Sequence, residues 1–139
     1  MSQHNVDLVR DLFAQWSAGN YEFIIESAQP DVEIFSRFAT LGGEPYRGPD
    51  GVRRWVAEIE QTFDQFEVRT SHFRDLGDSV LALGAIDLEG RASGVKMQQP
   101  MGWLFELRDG KLTRMFFYSS HEEAFKAAGL SQPDRTWGR

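Results

Sequence analysis

The sequence predicts an α+β domain in which a curved antiparallel sheet wraps over N-terminal helices, a cone that encloses a pocket. Three observations carry this reading. Helical patterns come first and four consecutive strand patterns follow, and helices grouped ahead of a meander pack across one face of its sheet. Asp109-Gly110 separates two apolar runs, Met101 to Leu107 and Leu112 to Tyr118, and is the pair that tolerates the positive backbone angles of a tight hairpin. Ser120 and Glu123 make a capping box ahead of a short helix, and Gly129 supplies its left-handed stop.

The elements follow in order. Leu8, Val9, Leu12, Phe13 and Trp16 recur at three and four residues, so Val6 to Trp16 is an amphipathic helix, with Asn5 as its cap and Asp7 in its first turn. Ala18-Gly19-Asn20 stops it. Tyr21 to Ala28 reads as a second short helix ended by Pro30, and Val32 to Ser36 as a short strand. Arg37 to Gly48 is a Gly- and Pro-containing loop, either a cover for a site or a plain connector. Gly48-Pro49-Asp50 opens a third helix, with proline in its favoured first turn and Val52, Trp55, Val56, Ile59 and Phe63 as its apolar stripe. Strands follow at Phe66 to Leu76, Ser79 to Leu88, Val95 to Leu107 and Leu112 to Tyr118. Residues 1–130 form one domain, and Ser131 to Arg139 form a polar tail.

Composition narrows the function classes. The chain has 139 residues, enough for one domain with a sizeable core, and a net charge of −6. That charge disfavours nucleic acid, which needs clustered Lys and Arg, and Arg53-Arg54 is the only basic pair. No apolar run has the length of a membrane span, and the first residues lack the basic-then-apolar pattern of a secretory signal, so a cytoplasmic protein is expected. With no cysteine there is neither a disulfide nor a thiolate site, and three separated histidines give no metal-ligand spacing. Neither metal nor cofactor is expected.

Alternation assigns faces. Met97, Gln99, Met101, Trp103 and Phe105 share one face of their strand, and Met115, Phe117 and Ser119 share one face of the next. The apolar first set points inward, which leaves Gln99 either at a wetted rim or bonded to a ligand. Trp16, Trp55 and Trp103 come from three elements and serve either as core or as the wall of one pocket. Asp87 faces away from Ile86 and Leu88. Tyr118 is a hydroxyl donor of outward parity, and Phe116 shares that parity, so a second subunit is expected over the outer sheet face as a homodimer. His121 sits in the first turn of the terminal helix, where the helix end favours a neutral imidazole that could serve as a base; an exposed residue beside a cap is the alternative. The face of His72 is open.

Several short motifs, in order, resemble those of SnoaL-like proteins within the nuclear transport factor 2-like superfamily. They are Ser17-Ala-Gly-Asn-Tyr21, Pro30-Asp-Val32, Tyr46-Arg-Gly-Pro-Asp-Gly-Val52, Gly77-Asp78, Ser93-Gly-Val95, Arg108-Asp-Gly-Lys111 and Ala124 to Leu130. The resemblance covers roughly residues 5 to 130 and implies the cone fold. That superfamily includes ketosteroid isomerases, polyketide cyclases, limonene epoxide hydrolases, dehydratases and non-catalytic binding domains. The isomerase base falls at Ser36, its tyrosine at Leu12 and its protonated acid at Gly102 or Trp103. The epoxide-hydrolase carboxylate falls at Phe117, and only Asp87, shifted by one residue, could match its second acid. Many relatives carry Asp where Ser120 stands.

The resulting expectation is a protein that binds a hydrophobic small molecule through Trp16, Ser36, Trp55, Gln99, Met101, Trp103, Phe117, Tyr118 and Ser119, with the familiar carboxylates absent. The alternative is an isomerase, cyclase or hydrolase of a polyketide-, steroid- or terpenoid-like substrate, with His121, His72 or Asp87 as an unconventional acid or base. A dimeric interaction domain without ligand is the third reading.

Overall fold

The computed structural model describes residues 2–36 and 44–130. Its elements are α1 (Ser2–Ser17), α2 (Glu22–Glu26), β1 (Ala28–Phe35), β2 (Tyr46–Arg47), α3 (Gly48–Thr62), β3 (Phe63–Asp75), β4 (Ser79–Gly90), β5 (Lys96–Arg108), β6 (Lys111–Tyr118) and α4 (His121–Ala127). The six strands form one sheet in the order β2-β1-β6-β5-β4-β3. Every pairing is antiparallel except β1 with β6, which is parallel, so the sheet is mixed. Helix α3 packs on both β1 and β3, which lie towards opposite ends of that order, so the sheet curls around the helices without closing.

Bulges bend it. Ser71 is an extra residue in β3 and Thr113 an extra residue in β6. Each sends its hydroxyl to the carbonyl across the ladder, Ser71 to Leu83 at 3.2 Å and Thr113 to Glu106 at 2.9 Å. An extra residue increases local twist and reverses side-chain parity beyond it. His72 is thereby placed on the face opposite Phe66 and Val68, and Leu112 joins Met115 and Phe117 on the concave face.

Local signals mostly fall where the sequence puts them. Asp109 and Gly110 have φ of 55° and 74° in the hairpin, and Ser120 Oγ accepts from the Glu123 amide at 3.1 Å. Gly129 has φ of 76°. Other boundaries differ, four of them with a clear local cause. Asn5 is inside α1, where its side-chain amide donates to Gly77 O at 3.0 Å and ties the helix to the β3–β4 turn. Helix α2 ends at Glu26, because Ala28 and Pro30 already belong to β1, whose parallel partner β6 extends it. Strand β3 starts at Phe63, directly after α3. Tyr46-Arg47, expected in a loop, pairs with β1. The rest of that loop at 37–43, and the tail at 131–139, lie outside the described residues.

The concave face carries the main core, including Val32, Ile34, Val80, Ile86, Met101, Trp103 and Phe105. On the convex face, α4 covers Leu81 and Leu83 with Ala124 and Phe125. Among the described residues no helix is long and apolar enough to cross a membrane.

Elsewhere the convex face carries a charge ladder, Arg47–Glu33–Arg114–Glu106, in which each neighbour is a cross-strand partner. The Arg47 bond, and then that of Arg114, hold the Glu33 carboxyl below its usual range. A carboxylate of lowered pKa stabilises the fold above its unfolded value, roughly 4.3 for glutamate, and loses that contribution as pH falls through the lowered value. Glu33→Gln is therefore expected to melt a few degrees below wild type at pH 7, consistent with an ion pair worth up to about 1 kcal/mol. The gap should close towards pH 2 in a series of thermal melts; a pH-independent gap would refute this role.

Candidate functional site

An apolar hollow lies between the helices and the concave sheet face. Its wall is Leu12, Phe13 and Trp16 from α1, Ile24 from α2, Trp55 from α3, Phe66 and Val68 from β3, Trp103 and Phe105 from β5, and Leu112, Met115 and Phe117 from β6. The helical members come from the amphipathic stripes, and the strand members from inward parity as adjusted by the two bulges.

The rings form a continuous series. Tyr21 meets Trp16 at 4.9 Å between centroids, and Trp16 meets Trp55 at 5.0 Å. Trp55 packs on Phe117 at 5.8 Å and 75°, and Phe117 on Trp103 at 6.2 Å and 77°. Trp103 then meets Phe13 at 5.1 Å and 69°. Edge-to-face contact is the favoured arrangement for such rings. The packing leaves a free volume of about 30 Å³, room for a water-sized molecule and far less than a ligand pocket.

Two polar clefts adjoin the hollow. One, of about 330 Å³, includes Tyr21, Glu60, Asp64 and Arg91; the other, of about 260 Å³, includes Ser17, Tyr21, Glu67 and Arg69. Trp16 and Phe66 belong to the hollow and to both clefts. They are the partition between the apolar interior and solvent. Arg91 is fixed there by Asp64 at 2.8 Å and by the Glu60 and Phe63 carbonyls. Burial, and secondarily Glu60, raises the Tyr21 phenol above its usual pKa.

No lining residue is titratable among those described. The wall's nitrogen donors are the indole N–H groups of Trp16, Trp55 and Trp103, and those of Trp55 and Trp103 stand apart. Both are buried, and neither has a hydrogen-bond partner among the described residues.

Of the ligand contacts expected from sequence, Trp16, Trp55, Trp103 and Phe117 come together in the wall. Met101 and Ser36 are buried but are not part of it. Gln99 pairs with Ile86 near the far end of β5 and stands half-buried. Tyr118 lies on the convex face, stacked with Phe116, which stacks on Phe35 at 4.7 Å. Ser119 donates to the Glu123 carboxylate at 3.1 Å.

The three acid–base candidates lie outside the wall. His121 Nε2 donates to Gly84 O at 3.0 Å. His72 Nδ1 is 2.9 Å from Ser71 Oγ, on the convex side of the bulge. Asp87 accepts from Arg69 at 2.9 and 3.2 Å and from Gln98 at 3.0 Å, and these bonds, Arg69's first, hold its carboxyl low. The wall residues not named from sequence as ligand contacts are Leu12, Phe13, Ile24, Phe66, Val68, Phe105, Leu112 and Met115. Helical stripe and strand parity could have indicated most of them; Leu112 needed the bulge.

Over residues 9–115 the sequence matches the SnoaL-like domain family. Similar solved structures agree in fold. A candidate SnoaL-like polyketide cyclase from Jannaschia sp. CCS1 is 21% identical, with 95% of each chain covered and a TM-score of 0.74. TerC, co-crystallised with polyporic acid, is 19% identical, with 91% of this chain and 98% of that one covered and a TM-score of 0.74. A protein of ketosteroid isomerase-like fold from Catenulispora acidiphila DSM 44928, in complex with trimethylamine, is 19% identical, with 91% and 97% covered and a TM-score of 0.71. Comparison with curated proteins finds no match.

Proposed function

Because this chain belongs to the SnoaL-like domain family, we propose that it binds a hydrophobic, flat small molecule in the hollow and returns it unchanged. The observation that carries the reading is the wall itself: twelve apolar side chains, seven of them aromatic, with no titratable group among the described lining residues. General acid–base chemistry needs such a group within hydrogen-bond reach of the reacting atom. Apolar rings supply large contact area instead.

Entry requires movement, because the resting hollow is nearly filled. Trp16 and Phe66 are only half-buried, and turning them outward joins the hollow to the clefts. The organic molecules held by TerC and by the Catenulispora protein support a guest of some kind in this fold.

The test is a panel of polycyclic ketones, quinones and hydrocarbons, followed by thermal shift, tryptophan fluorescence and chromatography of the recovered compound. At a hundred times its dissociation constant a guest stabilises by about 2.7 kcal/mol, so a rise of several degrees in Tm with quenched fluorescence is expected. No response across the panel would remove the binding reading. A guest recovered as a different compound would transfer the case to an isomerase, cyclase or hydrolase.

A further inference from the structure

We propose that the guest of this hollow is a neutral molecule with an oxygen acceptor and no donor, a ketone, quinone or lactone, held by the indole N–H groups of Trp55 and Trp103. The inference rests on the binding reading above and specifies its ligand class.

Trp55 and Trp103 are 1% and 0% exposed. Folded proteins satisfy nearly all their buried donors, because a buried N–H has given up water and gains nothing without an acceptor. Both of these orphaned donors belong to side chains that line the same hollow. They come from different layers, α3 and the sheet, and both rings pack on Phe117. A molecule lying against Phe117 is within the neighbourhood of both.

The rest of the wall fixes the selectivity. Its other side chains offer no acceptor beyond the weakly accepting sulfur of Met115, and the indole N–H of half-buried Trp16 is a further donor. A carbonyl oxygen has two lone pairs and can accept from both indoles. A hydroxyl or ammonium on the guest would meet no comparable acceptor and would be buried unpaired. The site thus favours a ketone over the alcohol of the same skeleton.

Fluorenone, fluorenol and fluorene share one flat tricyclic frame and differ at one carbon, so they separate the two readings. Each is titrated into the wild type, Trp55→Phe, Trp103→Phe and the double variant, with tryptophan fluorescence or calorimetry as readout. Phenylalanine keeps an aromatic ring and removes the N–H. The wild type is expected to bind fluorenone at least ten times more tightly than fluorenol. Each substitution should weaken fluorenone several-fold and leave fluorene within about two-fold, since a net hydrogen bond is typically worth a factor of roughly two to ten. The infrared carbonyl stretch of bound fluorenone should move to lower frequency, a measurement on the wild type that stands even where a variant does not fold. Fluorene binding with unchanged fluorenone affinity in folded variants, or an unshifted carbonyl, would overturn the acceptor proposal and leave the binding reading intact. Failure of all three compounds to bind would overturn both.

Discussion

Gly84→Ala is expected to destabilise the protein by about 3 kcal/mol, the upper part of the range for overpacking. Gly84 pairs with Thr70 at the β3 bulge and with Met101 on the other side. A Cβ there would run into Arg69 O and stand 2.8 Å from the Thr70 Cα. Those are backbone atoms, so no side-chain rotation relieves the clash; β3 and β4 must separate where they are hydrogen-bonded. The same shift disturbs the Gly84 carbonyl that accepts from His121, and with it the start of α4. For a domain of this size the loss corresponds to roughly 10 °C in Tm. Calorimetric or circular-dichroism melts will measure it, and a variant within about 2 °C of wild type would show that the ladder opens at Gly84 with little cost.

Trp103→Ala should cost a similar or larger amount, about 3–5 kcal/mol, through the cavity it leaves. The ring is fully buried, and its place borders the existing hollow, so the new space adds to the old. Enlarged apolar cavities stay dry and take up small aromatic molecules. Indole is therefore expected to restore part of the lost stability, about 1.4 kcal/mol at ten times its dissociation constant. Urea unfolding with and without indole provides the measurement. A midpoint unmoved by indole would mean that Phe13, Phe117 and their neighbours collapse into the gap, leaving no room for a guest in this part of the wall.

These two sites differ in how visible they are in the sequence. Trp103 stands on an alternating strand among Met101 and Phe105, so its inward parity and its place in an aromatic wall can be read directly. Gly84, between Leu83 and Ala85, carries no mark that its missing side chain is required. The same is true of Gly102, where a Cβ would strike the Ala124 methyl. Close approach of two backbones, or of a strand and a helix, is a property of the docked pair.

The candidate site divides in the same way. Trp16, Trp55, Trp103 and Phe117 were recoverable, because helical spacing and strand parity fix which side of an element a ring occupies. Gln99 and Ser119 were not excluded by sequence, because distance from the hollow depends on where along a strand the core ends, whereas the outward parity of Tyr118 already turned it from the hollow. His121, His72 and Asp87 had suitable chemistry but acquired structural partners: a carbonyl, a neighbouring hydroxyl and an arginine with a glutamine.

Short-range chemistry thus accounts for the element order, the Asp109-Gly110 hairpin, the Ser120 cap, the Gly129 stop and the inward faces, since each depends on residues within a few positions. The parallel β1–β6 pairing, the outward placement of His72, the inward placement of Leu112 and the near-filling of the hollow emerge only when distant segments pack. Bulges reset parity, strand partners are drawn from opposite ends of the chain, and the volume left between seven aromatic side chains is a small difference between large ones. No local pattern encodes such a difference, and it is the quantity on which ligand binding turns.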